Sequence, residues 1–136
     1  MRKITARRRK GYAHSLTYKQ HTLIADEPAG EGGADSGPPP TALLAMSLAS
    51  CTAITIEMYA ERKGWDVGNV EVEVTYEVED HIINRFDVAI TVPAELSEDQ
   101  IERLQAIACR CPVHRTLTGD IEITDRIVSK PPSPEV

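Results

Sequence analysis

The most constraining stretch of this 136-residue chain runs from Pro38 to Trp65, PPPTALLAMSLASCTAITIEMYAERKGW. From Thr41 to Ile56 it holds no charged residue, glycine or proline, so nothing interrupts a helix. Leu44, Leu48, Cys51 and Met58 follow one another at intervals of four, three and seven, which is one helical face. Leu43, Met46, Ala53 and Ile54 cover much of the opposite face. A helix that is apolar nearly all round is buried in a domain or a membrane. The run falls short of the roughly 20 predominantly apolar residues a bilayer needs, and Ser47, Ser50, Thr52 and Thr55 dot it. It reads as the buried central helix of a soluble protein, residues 41–63, with Cys51 near its middle.

The flanks of this helix carry start and stop signals. Pro39 or Pro40 suits a first helical turn, where a missing N–H costs nothing. Lys63-Gly64 supplies a basic last turn and a stop. Upstream, residues 1–25 read as two or three antiparallel strands, with Tyr12, His14, Leu16 and Tyr18 alternating. Residues 26–40, DEPAGEGGADSGPPP, form a Gly/Pro-rich loop. Its glycines fit no phosphate-cradle spacing, and its acidic residues argue against an anion.

Downstream, Val70, Val72, Val74, Tyr76 and Val78 alternate with polar residues, and Phe86, Val88, Ile90 and Val92 repeat the pattern. The spacing predicts an antiparallel hairpin over 70–92, with its glutamates on a solvated face. Ser97-Glu-Asp-Gln100 is a capping box. It opens a second helix, 97–110, with Ile101, Leu104, Ile107 and Ala108 on one face. Pro112 predicts a break, Ile121, Ile123 and Ile127 a last strand over 121–128, and the Pro-rich residues 131–136 a frayed tail. The whole is a single α+β domain with largely antiparallel sheet.

The net charge of −6 is unevenly spread, because six of the fifteen Lys and Arg residues lie in the first ten positions. A basic arm can bind nucleic acid, but no second basic patch supports that, and charges on an edge strand deter aggregation. The scarcity of aromatic residues also argues against stacking platforms for single strands. Nucleic acid is therefore not the expected partner. The basic start lacks the apolar segment of a secretory signal, which predicts a cytoplasmic protein.

Three cysteines in a reducing compartment are free, catalytic or metal-bound. Cys51 in the central helix and Cys111 after the second helix are the two on which redox chemistry would rest. Each also has a bland reading, as a small hydrophobe or a helix-end packing residue. A reactive pair needs a lowered thiol pKa at one sulfur and a second sulfur within disulfide reach. Cys109, Cys111 and His114 have C-x-C-x2-H spacing, which can hold zinc, but a fourth ligand is not evident and no metal is expected. His114 can instead orient Cys111. His14, His21 and His81 are isolated and read as structural.

The loop DEPAGEGGADSGPPP, the apolar helix with its Ala-Ser-Cys-Thr, and the segment RCPVHRTL together resemble the OsmC/Ohr family of osmotically inducible and organic-hydroperoxide-resistance proteins. The likeness extends from about Asp26 to Ile127 and points to a less characterised OsmC-like branch. It implies antiparallel sheets around a long central helix, in an intertwined homodimer whose protomers share a core. It implies that Cys51 is the peroxide-reacting cysteine and Cys111 the resolving one, with no metal or organic cofactor. An organic hydroperoxide would be the substrate and a cellular dithiol, of lipoyl type, the reductant. The family's thiolate is helped by an arginine from the N-terminal region, here one of Arg2, Arg7, Arg8 or Arg9, and by a glutamate early in the helix. Thr41 and Ala42 stand where that glutamate would fall. Its absence motivates an alternative from another class, a non-catalytic small-molecule-binding protein.

Overall fold

The central helix forms as α1, Pro40–Lys63, in the computed structural model, which describes residues 1–132. Pro39 is its extended N-cap and Pro40 its first helical residue. Gly64 ends it in the left-handed region at φ 72°, with its N–H on the Ala60 and Glu61 carbonyls. By length and composition α1 could cross a membrane. One stripe of it, Ala45, Leu48, Thr52, Ile56 and Ala60, is nevertheless buried within the chain. The expectation of burial all round needs correction. Leu44, Met46, Ile54 and Met58 are 40–59% exposed, because one small sheet and two short helices cannot wrap a 24-residue helix.

Ahead of α1, three strands form a meander: β1 (Thr5–Lys10), β2 (Ala13–Tyr18) and β3 (His21–Ala25), all antiparallel in the order β1-β2-β3. The pairing slips between Arg8 and Lys10, which leaves Arg9 on a bulge. Among the described residues this sheet packs on no other helix or strand beyond a marginal contact. It joins the remainder through residues 26–39.

That connection is locked by the buried Asp26 carboxylate. It accepts from the amides of Glu27, Ala34 and Ser36 at 2.7, 3.2 and 3.1 Å, and from the Ser36 hydroxyl at 2.7 Å. A Cβ at Gly33 would overlap the Glu27 carbonyl, so the tight turn requires glycine there. The Ser36 hydroxyl and amide, with the other two amides, hold the Asp26 carboxyl below its usual value despite burial.

After α1, β4 (Glu71–Tyr76) and β5 (Phe86–Thr91) pair in the register Val72↔Ile90, Val74↔Val88 and Tyr76↔Phe86. Their valines and aromatics lie on one side and Glu71, Glu73 and Thr75 on the exposed one. Asp80 and His81, both at positive φ, make the tight turn between Glu79 and Ile82. The second helix is α2, Glu98–Ala108, opened by Ser97 and Gln100 in a reciprocal capping box. α1, β4 and α2 enclose a small core of Ile56, Ala60, Val67, Leu104 and Ala108, bordered by Tyr59, Trp65, Ile90 and Leu96.

Two expectations fail downstream. Pro112 does not simply break the chain: it is the first residue of a third helix, α3, Pro112–Leu117. The last strand, expected over 121–128, does not form. Ile121, Ile123 and Ile127 alternate as a strand would, but they are 54%, 76% and 98% exposed because no sheet edge of this chain reaches them. Of the tail expected to fray, residues 131 and 132 have no regular structure, and the rest lies outside the described residues.

Candidate active site

Cys51 sits on the flank of α1, between its buried stripe and its open face, and is half-buried. Its pKa is raised, chiefly by burial, with the neighbouring Cys111 thiol adding to the rise. The Val113 amide and the Thr55 hydroxyl pull the other way. Cys111 is therefore near enough to perturb Cys51, although the two are 60 residues apart in sequence, and the contact of α3 with α1 is what brings them to one region.

Cys111 is fully buried. Its place follows from the Cys-Pro pair: a residue before proline is driven to extended backbone, here φ −59° and ψ 138°, which makes it an N-cap. Its sulfur accepts the His114 N–H at 3.3 Å, and the Thr52 hydroxyl points to it from α1 at 4.0 Å. Thr52 is itself buried and holds the Leu48 carbonyl at 2.8 Å. The site thus forms where the first turn of α3 meets the middle of α1.

The remaining sequence candidates are placed differently. His114 acts on Cys111 through its backbone amide rather than its ring, whose buried Nδ1 has no partner among the described residues. Cys109 caps the end of α2 and is exposed. No group of three or more His, Cys, Asp or Glu among the described residues is arranged to hold a metal, so Cys109, Cys111 and His114 do not converge as their spacing allowed. Arg9 is exposed in β1, and no arginine of this chain is among the groups that perturb Cys51. Nor is any carboxylate of the described residues among those groups, to take the place of the glutamate missing at Thr41 and Ala42.

The sequence reading missed α3, Thr52 and Thr55. Cys-Pro followed by helix-compatible residues is the signal that would have found α3. Thr55 lies four positions after Cys51, so the helical period alone puts it on the same face, whereas Thr52 lies on the adjoining buried stripe and turns toward Cys111.

A cavity of about 480 Å³ opens one turn away from the sulfurs. Leu44, Leu48, Phe86, Val88 and Leu117 form its apolar wall, and His114 and Arg85 its polar one. A second cavity, of about 390 Å³, is lined by Ile56, Val88, Ile90, Leu96, Ile101 and Leu104 between β5 and α2. The chemistry available is that of two neighbouring thiols, one half-buried and one sealed.

A family model for OsmC-like protein matches residues 32–125. No curated protein matches the chain. Among solved structures, a Psychrobacter arcticus 273-4 protein described under osmotic stress induction and detoxification response is 27% identical, with a TM-score of 0.77 over 85% of this chain and 88% of its own. An OsmC-like protein from Mycoplasma pneumoniae is 22% identical, with a TM-score of 0.77 over 88% of both chains. The organic hydroperoxide resistance protein OsmC from Legionella pneumophila is 20% identical, with a TM-score of 0.59 over 86% of this chain and 90% of its own. The last two are similar in fold alone.

Proposed function

The chain belongs to the OsmC-like protein family, and from that premise we propose that it is a thiol-dependent peroxidase for organic hydroperoxides in oxidative-stress defence. The observation that carries this reading is that α3 packs on α1 so that Cys111 lies against Thr52, the neighbour of Cys51, and perturbs the Cys51 thiol. The Cys51 thiolate attacks the outer oxygen of the O–O bond, releasing an alcohol and leaving a sulfenic acid. The Cys111 thiol condenses with it, expelling water and forming the Cys51–Cys111 disulfide. A dithiol, lipoyl-type in this reading, then reduces that disulfide by two electrons. The apolar wall of Leu44, Leu48, Phe86 and Leu117 favours an apolar alkyl hydroperoxide over hydrogen peroxide.

Burial opposes the Cys51 thiolate, and nothing in the protomer offsets it with a full positive charge. A homodimer supplies what is missing. The open face of α1, the unattached three-stranded sheet and the exposed isoleucines of 121–127 are all surfaces one protomer leaves uncovered. In the dimer the partner's basic arm brings an arginine, Arg9 being our candidate, to Cys51. A dithiol-driven cycle of this kind belongs in the cytoplasm.

The test is to add cumene hydroperoxide to the reduced protein and follow free thiols and cumyl alcohol. Two thiols lost per alcohol formed is the expected result. Unchanged peroxide consumption by Cys51→Ser would refute the assignment. Arg9→Ala should move the pH profile of Cys51 alkylation upward; an unmoved profile excludes that arginine. A second reading, a non-catalytic binder of apolar small molecules, is favoured by the raised Cys51 pKa. It predicts thiols inert to peroxide and an apolar ligand carried through purification.

A further inference from the structure

The imidazole of His114 has no part in the cycle above. It stands on the first turn of α3, whose backbone addresses both sulfurs: the Val113 amide acts on Cys51, and the His114 N–H donates to Cys111 at 3.3 Å. The same ring forms part of the wall of the cavity of about 480 Å³. Leu48, three residues before Cys51 on α1, lies on that wall too, so Leu48 and His114 mark its end nearest the thiols. Nδ1 of the ring is buried and has no partner among the described residues, and a buried polar atom in that condition calls for an explanation. Nδ1 is sealed even from water, which leaves Nε2 as the atom a ligand can address. Of the other ionisable groups on the wall, His81 and Arg85 are exposed, and the Arg85 guanidinium already donates to Asp87 at 2.7 and 3.0 Å. The half-buried end of the cavity thus offers one polar contact and, among the described residues, no unpaired Lys or Arg.

We propose that His114 Nε2 anchors the oxygen of a neutral, otherwise apolar ligand, and so selects uncharged alkyl or aralkyl hydroperoxides over those that carry a carboxylate. The substrate assignment rests on the peroxidase reading; the binding contact does not. An O–H group both donates and accepts, so it satisfies Nε2 in either tautomer of the ring. A carboxylate only accepts, and it would lose its water against Leu44, Leu48 and Phe86 with no cation to compensate. Held by His114, the hydroperoxyl group lies at the thiol end of the cavity with its apolar body along the wall.

The test titrates the reduced full chain and follows the histidine ring signals by NMR. Cumyl alcohol, which does not react with thiols, is compared with cumene, the same body without its oxygen, and with 2-methyl-2-phenylpropanoate, its carboxylate counterpart. Cumyl alcohol should shift one histidine ring signal, the one missing from His114→Gln. The ratio of alcohol to cumene affinity should fall about three- to tenfold in His114→Leu, the size of one neutral hydrogen bond, and hold in His114→Gln, whose amide keeps a donor there. The carboxylate should bind at least about tenfold more weakly than the alcohol. An unmoved His114 signal, an unchanged ratio in His114→Leu, or a carboxylate bound as tightly as the alcohol overturns the proposal. If His114→Leu does not fold, the wild-type shift and the carboxylate comparison decide alone. A shifted His114 signal in a protein that leaves cumene hydroperoxide intact would end the peroxidase reading and leave the contact standing; turnover without the shift would do the reverse.

Discussion

Oxidation should make this protein markedly more heat-stable, and the size of the gain follows from where the two sulfurs sit. A Cys51–Cys111 bond closes a loop of 60 residues in the unfolded chain. The chain-entropy relation for such a loop gives about 14 cal/mol/K, or about 4 kcal/mol at 25 °C. At about 2.1 cal/mol/K per residue, unfolding 136 residues carries about 290 cal/mol/K, so the full effect would raise Tm by about 15 °C. Strain in bringing the sulfurs from contact to bonding distance subtracts from this, and a rise of about 7–15 °C is the expected range. The assay is calorimetry of diamide-oxidised and dithiothreitol-reduced protein at one protein concentration, since association also moves Tm. Cys51→Ser should lose the difference, because it cannot form the bond. An oxidised protein with the bond verified by mass and an equal or lower Tm would show that the pair meets only by distorting the α1–α3 contact.

Other outcomes follow from the same structure. Ile56→Ala, at a fully buried position of the core, should cost about 3 kcal/mol and lower Tm by about 10 °C; a loss under about 1 kcal/mol would mean that the α1–α2 seam repacks around it. The Asp26 carboxyl has a lowered pKa in the folded chain, so its contribution is present above the unfolded carboxyl value and is lost as pH falls through the folded one. Asp26→Asn should therefore flatten the acid limb of stability against pH, and an unchanged limb would remove Asp26 as its source. Ile54→Glu, on the open face of α1, should leave an isolated protomer nearly untouched but split a dimer in sedimentation velocity. An intact dimer would place the interface elsewhere.

How far the fold could be read from residues alone differs from element to element. α1 was plain because sixteen positions without a breaker end in Lys-Gly, and α2 because its capping box is a local signal. The 70–92 hairpin showed in its alternation, since one face meets the core and the other water. α3 was hidden because proline at a first helical position looks like proline at a break until the preceding backbone is known. The strand expected at 121–128 failed for a different reason: alternation marks a segment fit for a sheet but cannot say whether its own chain offers an edge. At the site, the residue types of the cysteine pair were legible but its electrostatics were not. Thr55 and the Val113 amide act on Cys51 through geometry that periodicity only half specifies, and burial raises a thiol that the family resemblance implied was activated.

The link between the N-terminal meander and the remainder has a consequence for how a molecule of this shape comes together. With no broad packing to hold the sheet against its own helices, its heading is set at one joint, the turn clasped by Asp26 and Ser36. Re-aiming that joint would deliver three strands and seven Lys and Arg side chains to a different neighbour without breaking a single strand pair. Such economy is what an exchanged arm requires. It also means that a substitution in the clasp, far from either thiol along the chain, would be felt first as misdirected arginines.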